Sequence, residues 1–264
     1  MTFENRTKSP CAPPFPEQVY GVYINACGQV KPGAALGGEG GFRYNRSVRK
    51  FWQNELVSGL THLAGVPLSL VALVLLVRSA LAHGGAGHVV AFSVFGASMA
   101  LLYLASALYH LMPLASKAKR VMRRVDHAMI FVLIAGTYTP VCLLALDGAW
   151  RWGLLGVVWT LALAGVLAKA LWVRLPGWVS ALMYLGLGWL SALAWPALAA
   201  ALPGGALAWL ALGGAFYTVG VVFYALDKVL PPVRWFGLHE VFHLFVLAGS
   251  FSHFWLMWAY LARP

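Results

Sequence analysis

Seven long apolar runs, separated by short clusters of Gly, Pro and polar residues, dominate the chain. The separators are His83-Gly-Gly-Ala-Gly87, Pro113, Asp147-Gly148, Pro176-Gly177, Pro203-Gly-Gly205 and Pro231-Pro232. Between them the runs cover roughly 54–77, 88–111, 126–146, 151–173, 177–199, 206–226 and 238–261. Each holds about 20 or more residues, enough for a helix to cross the hydrocarbon core of a bilayer. The pattern predicts an all-α membrane protein built as a seven-transmembrane helix bundle. Pro67, Pro140 and Pro196 fall inside runs and predict kinks there.

Residues 1–52 lack the pattern. Pro10, Pro13, Pro14, Pro16 and Pro32 share this stretch with Gly37, Gly38, Gly40 and Gly41. Such composition predicts a flexible tail ahead of a helical domain at 53–264. Arg43, Arg46, Arg49 and Lys50 beside Phe51 and Trp52 read as a basic, aromatic segment lying on a membrane surface.

Composition agrees with a lipid-facing exterior: 61% of the residues are hydrophobic and only 10% charged. The net charge of +11 does not point to nucleic acid, because the basic residues gather beside apolar runs. Cys11, Cys27 and Cys142 match no zinc or redox spacing.

The distribution of Lys and Arg gives the orientation. One side carries Arg43, Arg46, Arg49 and Lys50, then Lys117, Lys119, Arg120, Arg123 and Arg124, then Lys169 and Arg174, then Lys228 and Arg234. The other carries only Arg78, Arg151 and Arg263. The amino terminus is therefore expected in the cytoplasm and the carboxyl terminus outside, in the cell membrane.

On that topology the polar residues converge. Ser106 and His110 close the second run, Asp126 and His127 open the third, and His239 and His243 open the seventh. All lie near the expected cytoplasmic face. His62 sits about 12 Å inside the first run, at 1.5 Å per residue. His253 is about 21 Å beyond His239, too far to join the same site.

Residues four apart share a helix face, so His239 and His243 can hold one metal ion together. His110 supplies a third imidazole, and three protein ligands with one open position is the arrangement of catalytic Zn²⁺. Such an ion makes water acidic enough to ionise near neutral pH. Asp126 is the nearest carboxylate to take the proton, and Ser106 shares a face with His110, where it can stabilise an oxyanion. Taken singly, His62, His127 and His253 read as interhelical hydrogen-bonding residues, Asp126 as an ion-pair partner and Ser106 as a small packing residue. Their common depth favours the site. His239-Glu-Val-Phe-His243 also matches the zinc metalloprotease motif, with Glu240 as base, but that reading leaves Ser106 and Asp126 without a role.

Several stretches together resemble the hemolysin III branch of the progestin and adipoQ receptor family, within a superfamily that includes the alkaline ceramidases. They are Glu55-Leu-Val-Ser-Gly-Leu-Thr-His62, Tyr103-Leu-Ala-Ser-Ala-Leu-Tyr-His110, Arg124-Val-Asp-His-Ala-Met-Ile130, Ala135-Gly-Thr-Tyr-Thr-Pro140, Gly214-Ala-Phe-Tyr-Thr-Val-Gly220 and His239-Glu-Val-Phe-His-Leu-Phe-Val-Leu-Ala-Gly-Ser250. The resemblance covers about residues 54–261. It implies seven helices with a cytoplasmic amino terminus and Zn²⁺ held by His110, His239 and His243 near the cytoplasmic face. It implies Ser106 and Asp126 as the polar pair beside the metal. His62 and Glu240 are further candidates of this reading, behind the ligands. In ceramidase-like relatives this constellation cleaves a lipid amide.

The expected function is a Zn²⁺-dependent membrane hydrolase of a lipid amide or ester, serving membrane lipid homeostasis. A non-enzymatic lipid sensor with structural zinc is the alternative, and a pore-forming haemolysin or an intramembrane protease are further ones. No run shows the repeated charged stripe that lines a pore.

Overall fold

The computed structural model describes residues 18–19, 22–24, 30–31, 46–112, 116–171, 176–227, 229–230 and 236–262, with the helical side chains described from Glu55 onward. The chain divides into two units, Met1–Phe51 and Trp52–Pro264. The first contains three short strands, β1 (Gln18–Val19), β2 (Val22–Ile24) and β3 (Val30–Lys31), paired antiparallel in that order. Tyr23 stands opposite both Gln18 and Lys31. Most of the stretch expected to be flexible, and the Arg43 end of the expected surface segment, lie outside the described residues.

The helices are α1 (Arg46–His83), α2 (Ala86–Leu111), α3 (Ser116–Ala145), α4 (Gly148–Ala170), α5 (Gly177–Gly188), α6 (Trp195–Ala201), α7 (Gly204–Leu226) and α8 (Leu238–Leu256). α1, α2, α3, α4, α7 and α8 each contain a stretch long and apolar enough to cross a membrane. The remaining span is broken, its halves Gly177–Ala192 and Trp195–Ala201 meeting at 51°. With the bent pair as one span, the seven expected runs are all present. Large apolar side chains such as Leu68, Leu81, Leu171 and Trp178 face outward, as a lipid solvent allows.

Two details differ from the sequence pattern. α3 starts at Ser116, ten residues before the apolar run. Lys117, Lys119, Arg120, Arg123 and Arg124 therefore occupy helical turns rather than a loop. Lys and Arg are good helix formers and no breaker separates them from the run. Asp126 thereby sits within a formed helix instead of at its frayed start.

The second detail is the break in the fifth span. A 3-10 turn at Trp189–Ala192 ends α5, and Pro196 lies in the first turn of α6. Proline lacks the N–H that would bond back to Ala192, so the helix cannot run through. Tyr138 of α3 holds backbone groups of the turn that precedes the break. Its hydroxyl accepts from the Ser191 N–H at 2.8 Å and lies 2.5 Å from the Gly188 carbonyl oxygen, to which it donates.

The core carries fully buried Leu76, Phe92, Phe95, Phe131, Leu146, Leu198, Leu256 and Met257. Small residues let the helices approach, as is usual in bilayers. A Cβ on Gly65 of α1 would lie 2.9 Å from both Tyr103 of α2 and Leu247 of α8. The absence of that carbon holds α1 against the two helices that carry the histidines.

Candidate metal centre

His110 comes from the last turn of α2, and His239 and His243 from the first two turns of α8. One ligand atom of each lies within 4.8 Å of the others. Ring centroids are 5.3 Å apart for His110 and His239, 5.1 Å for His110 and His243, and 4.6 Å for His239 and His243. His110 and His243 are almost fully buried.

The hydrogen bonds behind the rings set their tautomers. His243 Nδ1 lies 3.0 Å from the Ser58 carbonyl oxygen. A carbonyl only accepts, so Nδ1 carries the hydrogen and Nε2 keeps its lone pair. Thr61 donates to the same carbonyl at 2.7 Å. His110 Nδ1 lies 3.2 Å from Glu55 Oε2, which also accepts from Lys119 Nζ at 3.0 Å. The Lys119 ammonium reaches the Tyr109 carbonyl as well. His110 thus presents Nε2, and that atom is buried without a hydrogen-bond partner.

A buried lone pair with no partner, aimed at two further imidazoles, fits a cation. Three imidazole nitrogens suit a transition-metal ion, the class that includes Zn²⁺, Cu, Fe and Ni. The carboxylate behind His110 and the carbonyl behind His243 are the usual partners of metal-binding histidines.

In front of the centre lies a cavity of about 540 Å³, within the range of small-molecule sites. His62, Ser106, Asp126, His239 and His243 line its polar end. Ile130, Leu133, Ile134, Val141, Leu154 and Leu198 line the rest. Asp126 and Ser106 are both buried. The Ser106 hydroxyl makes no hydrogen bond of good geometry, and the Asp126 carboxyl is its neighbour. Asp126 also lies within electrostatic range of His110.

A family profile described as "Haemolysin-III related" matches residues 50–254. The "Hemolysin-3 homolog" of Bacillus subtilis (strain 168) is 40% identical over 211 residues, covering 80% of this chain and 96% of that protein. The chain belongs to the haemolysin-III related family. "Hemolysin-3" of Bacillus cereus is also 40% identical, over 214 residues, covering 81% of this chain and 94% of that protein. The human "Monocyte to macrophage differentiation factor" is 27% identical over 177 residues, covering 64% of this chain and 70% of that protein. These matches place the chain in the haemolysin III branch of the progestin and adipoQ receptor family, as a multi-pass membrane protein.

Within this haemolysin-III related chain the predicted residues take different places. His110, His239 and His243 meet, with Ser106 and Asp126 on the cavity beside them. Glu240 turns toward α1, where its Oε1 accepts from Ser58 Oγ at 3.0 Å, and it is absent from the cavity wall. His62 stacks on His243. His127 lines the cavity, and Tyr184 donates to its backbone carbonyl at 3.0 Å. His253 lies outside the histidine cluster, as its distance along α8 required, yet lines the same cavity, about 15 Å from His243 along the helix axis.

The sequence pattern assigns Glu55, Ser58 and Thr61 no place in the site, and Lys119 a place only in the charge topology. A signal was present: Glu55, Ser58 and His62 follow i, i+3, i+7 spacing on one face of an otherwise apolar helix.

Proposed function

We propose that the protein is a zinc-dependent hydrolase that cleaves a lipid amide or ester in the cell membrane, with its metal centre toward the cytoplasmic face. The observation that carries this reading is a cluster of three convergent imidazoles, two of which, His239 and His243, line a largely apolar cavity, with a buried carboxyl and a buried hydroxyl at its polar end. His110, His239 and His243 hold the ion. Bound there, Zn²⁺ would polarise a carbonyl and acidify water.

The chain's own residues do the rest. The apolar wall takes an acyl chain and brings its carbonyl to the polar end. Asp126 accepts a proton from the attacking water and returns it to the leaving amine or alcohol. Ser106 donates a hydrogen bond to the oxygen on which charge develops. The concentration of Lys and Arg at the start of α3 supports the cytoplasmic placement.

The names of the Bacillus relatives suggest haemolysis, but a pore calls for a charged stripe, and none of the described spans carries one. A protease reading needs Glu240 at the centre, whereas one of its carboxylate oxygens accepts from Ser58 and the side chain is absent from the cavity wall.

The test is release of fatty acid from N-acyl and O-acyl lipids by purified protein of measured zinc content. Release by zinc-loaded protein, abolished by chelation and restored by zinc, is expected. Zinc-loaded protein that binds lipid without cleaving either class would make it a sensor instead.

A further inference from the structure

His62 is a buried histidine that the metal does not explain. Its ring is 3% exposed and lies flat on that of His243, with centroids 3.8 Å apart and planes 5° from parallel. Tyr103 packs against another side of the ring, centroids 5.2 Å apart. His62 is outside the set of imidazoles whose ligand atoms lie within 4.8 Å of one another. Both of its ring nitrogens are buried without a hydrogen-bond partner. Yet it is part of the cavity wall.

A neutral imidazole carries one N–H donor and one acceptor. Leaving both unpaired in an apolar interior is costly, and polar groups inside membrane spans persist where they serve a site. Support of His243 by stacking needs only a flat ring, which a phenylalanine would supply at no polar cost. The nitrogens must therefore meet something that enters the cavity. Its polar end is where the acyl carbonyl would sit.

We propose that His62 is a substrate-binding residue whose ring N–H donates to the carbonyl or carboxyl oxygen of an acyl chain lodged in the cavity. This rests on the reading of the site as a lipid acyl hydrolase. Stacked on His243, flanked by Tyr103, and set on a helix held close by Gly65, the ring is oriented before the lipid arrives. Such a donor adds affinity without reorganisation. The ligand class is an acyl chain with one terminal carbonyl group, the chain running toward Leu154 and Leu198. The competing occupant is an ordered water, which would satisfy the same nitrogens and add nothing to acyl affinity.

The experiment uses full-length protein purified in detergent and loaded with Co²⁺, whose visible absorption reports the ligand set. Oleate, the product-like probe, is titrated in, and its affinity is measured in parallel by displacement of a pyrene-labelled fatty acid. Wild type should show a saturable spectral change. His62→Phe keeps the flat ring and should bind Co²⁺ as wild type does, with oleate affinity weaker by about tenfold or more. His62→Gln restores a donor and should recover part of that loss. Unchanged oleate affinity in His62→Phe would establish the water and overturn the proposal. Loss of Co²⁺ from both variants would overturn it too, by making His62 part of the metal's support. Wild type that binds Co²⁺ but not oleate would remove the acyl-site reading and this proposal with it. Wild type that binds oleate without Co²⁺ would remove the metal reading alone, and pyrene displacement would still decide the role of His62.

Discussion

Glu55 Oε2 stands 3.2 Å from Nδ1 of His110, and Lys119 Nζ stands 3.0 Å from the same oxygen. His110 on α2 is thus oriented by a carboxylate on α1, which is itself held by a cation on α3. Removal of Glu55 should leave the fold intact and loosen the metal. Glu55→Ala is expected to weaken zinc binding about 10–100-fold, and Glu55→Gln less, since an amide oxygen still accepts. Competition with a chromogenic chelator measures both. Equal affinity in wild type and Glu55→Ala would mean that His110 is not a ligand in need of orientation.

Glu240 allows the protease chemistry to be separated from the lipid chemistry. A general base contributes about 10²–10⁴-fold to rate. With its carboxylate turned to Ser58, Glu240 should contribute far less. Glu240→Gln keeps an acceptor for the Ser58 hydroxyl and is expected to retain zinc and most of the turnover, read as fatty acid release. A loss of the full general-base magnitude would move the base from Asp126 to Glu240.

Gly214 lines the cavity, and a Cβ built there meets nothing within 4 Å. A larger side chain at this position should fill the chain-binding space without straining the helix. Gly214→Leu also gains roughly 1 kcal/mol of helix propensity. The expected outcome is unchanged or raised thermal stability, unchanged zinc, and selective loss of activity on long acyl chains relative to short ones. A uniform loss across chain lengths would indicate that the apolar wall does not bind the chain.

Tyr138 tests the broken span. In Tyr138→Phe the Ser191 N–H loses its acceptor, and the Gly188 carbonyl keeps only the longer bond from the Ser191 hydroxyl at 3.3 Å. The expected cost is about 1–3 kcal/mol, seen as a lower unfolding midpoint in detergent. No change would mean that other groups or water satisfy the break.

The spans were legible in the sequence because Gly, Pro and charge cannot be hidden in a bilayer, so separators and runs fall apart cleanly. The broken fifth span was legible as a kink at Pro196, but the contribution of Tyr138 was not, since nothing local ties a tyrosine on α3 to a backbone 50 to 53 residues away. The meeting of His110 with His239 and His243 was legible from i, i+4 spacing combined with charge topology. Glu55 and Lys119 were hidden by their position: ionisable residues at the ends of membrane runs ordinarily read as surface anchors. Glu240 misled because a motif fixes spacing along a helix but not which neighbour the side chain meets. His62 could be placed at depth, yet stacking on His243 depends on α1 lying close to α2 and α8, which only Gly65 hinted at.

The decisive comparison is between wild type and Asp126→Asn, each with zinc per chain and fatty acid release from N-acyl and O-acyl lipids measured on one preparation. Asp126 is buried on the cavity wall beside Ser106, outside the histidine cluster. The expected result is about one zinc per chain in both proteins and a fall in release of about 10²–10⁴-fold in the variant. Equal release by the two proteins, or no release from either lipid class by zinc-loaded wild type, would contradict a zinc-dependent lipid hydrolase with Asp126 as its base.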